Sequence, residues 1–184
     1  MRIKPVQGYE TTVTAFLLDF RSELQYSGDT GAVEPSRPSR RTGIEWTNQY
    51  RPVPWLYFTA DLAVSHARFT DFDPVGNRIP GAPNVIATAG VNYGEKTGWF
   101  GAGKFRFLGP TPLIEDNSVR SHGMKVVNAT LGYRFENGYR LQLDAFNLFN
   151  RSTTFRKAAF EGVMDVHFKP VEPFAVRLTF GGTF

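Results

Sequence analysis

The sequence predicts an all-β fold: about eight antiparallel strands in up-and-down order, forming the wall of a transmembrane β-barrel. Three observations predict it. Apolar and polar residues alternate over segments of roughly ten residues, the length a tilted strand needs to cross a bilayer. Long and short connections also alternate, so short turns fall at one end of the strands and long loops at the other. Aromatic residues gather at strand ends, at Trp55, Tyr93, Trp99, Tyr133, Phe135, Tyr139, Phe149 and Phe184, where interfacial girdles lie.

Composition fits this class. The 184 residues, taken as one domain over 1–184, include 17 Phe, 18 Gly and 12 Pro, a mix that favours strands and turns over helices. No apolar run is long enough for a transmembrane helix. A mean hydropathy of -0.28 would suit a soluble protein, but a barrel's lumen-facing residues dilute its lipid-facing ones. Cysteine is absent, which excludes a disulfide framework or a thiolate metal site. A scattered formal charge of +4 gives no footprint for nucleic acid. Residues 1–5 (MRIKP) carry basic groups without an apolar run or cleavage site, so no signal peptide is expected there.

The elements follow in order. Val13 to Leu24 is the first expected strand, with imperfect alternation: Phe16, Leu18 and Phe20 on one parity, Ala15, Leu17 and Asp19 on the other. A loop rich in Gly and Pro runs from Ser27 to Ser39. The second strand, Arg41 to Tyr50, carries Ile44, Trp46 and Tyr50 on its apolar parity, and residues 51–54 (RPVP) make a tight connection. The third, Trp55 to Phe69, sets Leu56, Phe58, Ala60, Leu62 and Val64 against Tyr57, Thr59, Asp61, Ala63 and Ser65. After a loop over 70–83 comes Asn84 to Tyr93, then a short turn over 94–98, then Trp99 to Leu108. A third long loop, 109–123, leads to Lys125 to Phe135, whose Val127, Ala129, Leu131 and Tyr133 oppose Asn128, Thr130, Gly132 and Arg134. Glu136-Asn137-Gly138 is a hairpin turn with a strong Asn-Gly signal, and Tyr139 to Phe149 follows it. The longest loop, 151–170, precedes the closing strand, Glu172 to Phe184. There Phe174, Val176, Leu178 and Phe180 share one parity with the terminal Phe184, and this apolar edge is the expected assembly strand of the barrel. The parities alone fit a soluble sandwich equally well. Sorted loops and aromatic ends favour the membrane.

Catalytic chemistry is not expected. Ser65 and His66 lie near Asp61, but adjacent strand residues point to opposite faces, which breaks a Ser-His-Asp grouping. Glu115, Asp116 and His122 in the third long loop, with Asp165 and His167 in the fourth, are candidate contacts for an external ligand. No cofactor site is read; Gly98, Gly101 and Gly103 lie in a strand and do not form a phosphate cradle.

Several segments resemble the C-terminal end of TonB-dependent outer-membrane receptors. They are residues 40–45 (RRTGIE), 79–83 (IPGAP), 108–110 (LGP), 127–135 (VNATLGYRF), 147–150 (NLFN), Glu172-Pro173 and the terminal Phe184. The resemblance covers essentially the whole chain and implies the last third of a barrel of about 22 strands. It also implies a Gram-negative outer-membrane location and a role in uptake of a scarce ligand such as a ferric siderophore. Implied partners are outer-membrane lipid and lipopolysaccharide, the barrel-assembly machinery, and the remaining barrel and plug of a longer receptor. The family's plug and energy-coupling segment are not read here, so the expectation is a receptor fragment incompetent for transport alone. The alternative is a self-contained eight-stranded outer-membrane barrel with a structural or adhesive role.

Overall fold

The computed structural model describes residues 1–26, 32–151, 154–158, 164–168 and 172–182. Among these, the long strands are β2 (Tyr9–Phe20), β5 (Ser39–Val53), β6 (Leu56–Phe69), β7 (Val85–Gly94), β8 (Gly98–Leu108), β9 (Met124–Arg134), β10 (Tyr139–Phe146) and β13 (Ala175–Gly182). A short strand, β1 (Arg2–Ile3), precedes them. Neighbours run β1-β2-β5-β6-β7-β8-β9-β10-β13 in one antiparallel sheet. The sheet is open. Strand β13 stands at one edge, and β2, paired over Thr11 and Thr12 with β1, stands near the other.

Two long loops depart from expectation. Each contains a small hairpin: β3 (Leu24–Tyr26) with β4 (Val33–Pro35), and β11 (Thr154–Ala158) with β12 (Met164–Phe168). The expected connection over 51–54 is also shorter, because β5 continues to Val53. Pro52 has no N–H to give a ladder, and the register with β6 shifts between Tyr50 and Val53.

Register sorts the side chains into two faces. One cross-strand row reads Leu56, Tyr93, Gly101, Leu131, Leu143, Leu178; the next reads Phe58, Val91, Gly103, Ala129, Ala145, Val176. This apolar face is open. Leu178 and Phe180 are each 68% exposed, and Phe174, Ile44, Val64 and Leu131 are also exposed. Among the described residues the buried hydrophobic side chains are Phe69, Ile79 and Phe100. A soluble chain of this length buries a far larger apolar core. An apolar face left open while the interior lacks a core is the arrangement of a sheet solvated by lipid.

Several aromatic strand ends pack on one another. Tyr9 packs edge-on to Tyr50, which stacks on Phe58; Trp99 meets Tyr133, which meets Phe135; Tyr139 stacks on Phe180. All lie toward the short-turn end of their strands. Polar groups on the apolar face satisfy one another. The Tyr9 hydroxyl and Thr11 Oγ1 donate to Asn48 Oδ1 at 2.7 and 2.9 Å, Trp46 Nε1 donates to Thr11 Oγ1 at 2.8 Å, and Asn48 Nδ2 donates to the Ala60 carbonyl at 3.0 Å. Hydrocarbon penalises an unpaired polar group heavily, so this closed set lets Asn48 sit there.

The irregular pattern of the first strand has a packing cause. Val13, Ala15 and Leu17 share the lipid face, while Phe16, Leu18 and Phe20 turn to the polar one. Phe16 lies over Gly43 of β5, where a Cβ would sit 2.6 Å from the ring. A second pair repeats this: Phe100 lies over Gly132, where a side chain would collide with its ring.

At the long-loop end, Asn147 joins three strands. It is 2% exposed and adopts φ 45°. Its backbone N–H donates to Asn128 Oδ1 at 2.9 Å, its Nδ2 donates to the Arg151 and Glu172 carbonyls at 3.0 Å, and its Oδ1 accepts from the Arg151 N–H. Asn150 Oδ1 accepts from the Phe174 N–H at 3.1 Å, tying the same turn to the closing strand. Asn147→Ala removes the side-chain partners of the Arg151 N–H and carbonyl and of the Glu172 carbonyl, and should cost about 1–3 kcal/mol. Urea unfolding of a membrane-inserted barrel that contains the chain would measure it, and an unchanged midpoint would remove Asn147 from this role.

Candidate functional site

Two polar regions are candidates: the face opposite the lipid, and the packed long loops above it. The polar face carries cross-strand rows of its own. One reads Tyr57, Asn92, Ala102, Thr130, Asp144, Arg177; another reads Asp61, Thr88, Arg106; a third reads Thr59, Gly90, Lys104, Asn128. The Asp144 carboxylate, 4% exposed, is the most enclosed charge there. It accepts from Thr130 Oγ1 at 2.7 Å, from Gln142 Nε2 at 2.9 Å and from Arg177 Nη2 at 3.1 Å. Arg177 also covers the Phe146 ring at 5.1 Å. Full satisfaction of this kind offsets the cost of enclosing the charge, and it fixes the register of the closing strand on β10. Nearby, Thr88 Oγ1 donates to Asp61 at 3.0 Å, and Arg134 covers the Phe100 ring at 3.9 Å while donating to the Glu95 carbonyl. Lys104 and Arg106 have no ion pair among the described residues. This face can therefore bind polar or anionic matter inside a barrel.

The outer loops are organised by Arg37. Its Nε donates to Asp71 at 2.9 Å, its Nη1 donates to Glu115 Oε2 at 2.7 Å and lies 3.3 Å from Asp73, and its guanidinium covers the Phe69 ring at 4.6 Å. One cation thus joins three connections: those before β5, between β6 and β7, and between β8 and β9. Backbone bonds support it, from the Arg78 N–H to the Glu115 carbonyl at 2.9 Å and from the Gly81 N–H to the Pro112 carbonyl at 2.8 Å. At the base of the last loop, buried Thr111 and Ser121 bond through their hydroxyls at 2.9 Å. A second outer cluster sets the Glu23 carboxylate on Ser39 Oγ at 2.7 Å and on the Arg41 guanidinium.

The candidate residues read from the sequence therefore land in different circumstances. Glu115 is committed to Arg37. Asp116 is exposed and accepts the Ser118 N–H at 2.9 Å in a local turn, and His122 is exposed beyond Ser121. Asp165 and His167 lie on β12, in register with Lys157 and Phe155. Among the described residues no group of three or more His, Cys, Asp and Glu is placed to hold a metal ion. Of the closing-strand residues, Val176, Leu178 and Phe180 line the lipid face on β13, Phe174 just precedes it, and Phe184 lies outside the described residues. Ser65 and His66 pair with Gly43 and Thr42, so they occupy opposite faces. The role of Arg37 with Asp71 and Asp73 is not legible in the sequence; these partners are brought together only by strand order.

The loop carboxylates respond oppositely to pH. The hydrogen bond from Arg37 holds the Asp71 carboxyl below its ordinary range, so that pairing is complete above this range and is lost as pH falls through the lowered value. Burial, with the charges of Asp73 and Asp71, raises Glu115 despite Arg37 close by. An ionised Glu115 therefore costs stability as pH rises through the interval above the ordinary value. Arg37→Gln removes the shared cation. Protease cleavage within 70–83 and 109–123 should rise several-fold at neutral pH and rise less at mildly acidic pH, where Glu115 is protonated. Cleavage at the unsubstituted rate under both conditions would contradict the hub.

Comparison with known proteins places this geometry. The family model described as "TonB dependent receptor-like, beta-barrel" matches residues 4–148. Solved structures share the fold. The ferric-catecholate import receptor Fiu from E. coli K12 is similar with TM-score 0.71 and 20% identity over 97% of this chain and 26% of that one. The ferric citrate transporter FecA gives TM-score 0.73 and 18% identity over 97% and 29%. The ferric yersiniabactin uptake receptor FyuA from Yersinia pestis gives TM-score 0.67 and 18% identity over 97% and 27%. The chain thus spans roughly a quarter of the length of these structural relatives. With a strand order, lipid face and family match that agree, the chain belongs to the TonB-dependent receptor-like β-barrel family.

Proposed function

We propose that residues 1–184 form a segment of barrel wall from a TonB-dependent outer-membrane receptor, and that this segment serves uptake of a scarce ligand such as a ferric siderophore without transporting it alone. The observation that carries the reading is the open sheet. Strands β2 and β13 stand toward opposite edges, and hydrocarbon does not tolerate unpaired backbone N–H and C=O groups. The edges need further strands to close, and the relatives of similar fold are about four times longer. In such a barrel the rows around Asp144, Asp61 and Lys104 would face the lumen and a plug, the outer loops with Asp116 and His122 would meet ligand, and β13 would engage the barrel-assembly machinery. Lipid and lipopolysaccharide would surround the apolar face. No catalytic role is assigned. The self-contained eight-stranded alternative needs β13 to pair across to the β2 side, which this strand order does not support.

The test is uptake. Expressed alone in a strain lacking its ferric-siderophore receptors, the chain should give no accumulation of radiolabelled ferric citrate or ferric catecholate above the empty vector. Supplied with the preceding barrel strands and plug of a receptor of this family, it should restore accumulation. Uptake by the 184 residues alone would overturn the proposal.

A further inference from the structure

The long-loop end of the apolar face carries a cluster of cations that the proposed uptake role does not use. Arg40 of β5 is in register with Arg68 of β6, and Arg68 forms an isolated bridge with Arg78. These three therefore share the lipid side. His66, two residues from Arg68, accepts from Arg68 Nε there. Arg120 is close enough to act on Arg78 as a like charge. Burial, then the charges of Arg68 and Arg120, hold Arg78 below the usual guanidinium value. Lys125 lies on the same face, 5.8 Å from the Phe107 ring centre.

Carboxylates are nearly missing from this cluster. Asp19 pairs with Arg40 at 2.6 Å. Asp71, Asp73 and Glu115 are gathered by Arg37 above Phe69, on the other face. Arg68 otherwise reaches Asn77 Oδ1 at 3.4 Å, and Arg120 reaches Asn117 Oδ1 at 2.6 Å and the Pro110 carbonyl at 3.1 Å. All of these are neutral acceptors. The Arg78 guanidinium has no hydrogen bond or ion pair among the described residues. Unpaired guanidiniums at such proximity repel, and an anion bridging them relieves that cost.

Position selects the anion. Val64 of β6 belongs to the exposed apolar band, His66 lies two residues beyond it and Arg68 four. At about 3.3 Å per residue, His66 and Arg68 stand roughly 7 and 13 Å past Val64 along β6. His66 is level with exposed Leu17 of β2, and Arg68 lies one row beyond it, at headgroup depth. A ligand meeting both zones has acyl chains below and phosphate above. We propose that Arg68, Arg78 and Arg120, with His66 and Arg40 beside them, bind a phosphate of lipopolysaccharide in the outer leaflet. The proposal rests on the reading that the apolar face meets lipid and the long loops lie outside.

The test joins the chain to the preceding barrel strands and plug of a receptor of this family and, in phosphatidylethanolamine vesicles, compares binding to lipid A carrying its phosphates and to enzymatically dephosphorylated lipid A. Native mass spectrometry of detergent-extracted protein counts retained lipid. Loss of the phosphates, or the R68Q/R78Q/R120Q triple substitution, should weaken retention about ten-fold or more. The K96Q variant, in the short turn between β7 and β8 at the other end of the strands, should leave retention unchanged. The single R78Q variant, expected to lose about three-fold, serves if the triple variant does not fold. Equal retention by the Arg variants, an equal loss in K96Q, or competition by inorganic phosphate at the same concentration as lipid A would overturn the proposal. Failure of the underlying membrane reading is distinguishable, because the unsubstituted chain would then complete no barrel in the vesicles, seen as the absence of heat-modifiable gel migration.

Discussion

Backbone pairing in a medium without water is the constraint on which everything else depends. In hydrocarbon each N–H and C=O must bond within the protein, and a sheet does so only if its ladders run unbroken from one strand to the next. The register from β2 through β13 meets this demand across the interior of the wall. Once the ladders are fixed, period-two alternation sends Leu131, Leu143 and Leu178 to one face and Thr130, Asp144 and Arg177 to the other. The same constraint makes the edges costly and accounts for a chain with so few buried hydrophobic side chains.

With no core to pack, specificity passes to the polar face and the rim. The bonds around Asp144 fix β13 on β10 at one register, and a slip of one residue would send Leu178 inward and Arg177 into lipid. Asn147 and Asn150 act at the strand end, and Arg37 acts among the loops. Aromatic rings over Gly43 and Gly132 fill space that a side chain on either residue would deny them. Each device links neighbours in the sheet, so stability is distributed along the wall and not concentrated at a centre.

Much of this is legible in the sequence because strand periodicity is local. The eight long strands, the hairpin at Glu136-Asn137-Gly138, the sorting of loops by length and the aromatic ends all follow from spacings within one or two segments. Thr88, Asn92, Asn128, Thr130 and Asp144 are legible as one face for the same reason. What escapes depends on contacts between distant segments. The partners of Arg37 lie 34 and 78 residues away, at Asp71 and Glu115. The cations Arg68, Arg78 and Arg120 come near one another only because the sheet brings the end of β6 and two loops together. The small hairpins over Leu24–Tyr26 with Val33–Pro35 and over Thr154–Ala158 with Met164–Phe168 sit in polar segments that lack sustained alternation. At the candidate ligand positions, Glu115 is legible as an acid in an outer loop but not as the partner of Arg37.

The central claim is that the row containing Leu131, Leu143 and Leu178 faces lipid while the row containing Thr130, Asp144 and Arg177 does not. Spin labels placed singly at Leu131, Leu143, Thr130 and Thr179 test it most directly, with the chain completed to a membrane-inserted barrel by the preceding strands of a receptor of this family, read by collision with oxygen dissolved in the bilayer and with a water-soluble nickel chelate. The account predicts strong oxygen and weak nickel collision at Leu131 and Leu143, and the reverse order at Thr130 and Thr179. Shielding of Leu131 and Leu143 from both reagents would contradict it, since those side chains would then be packed against protein.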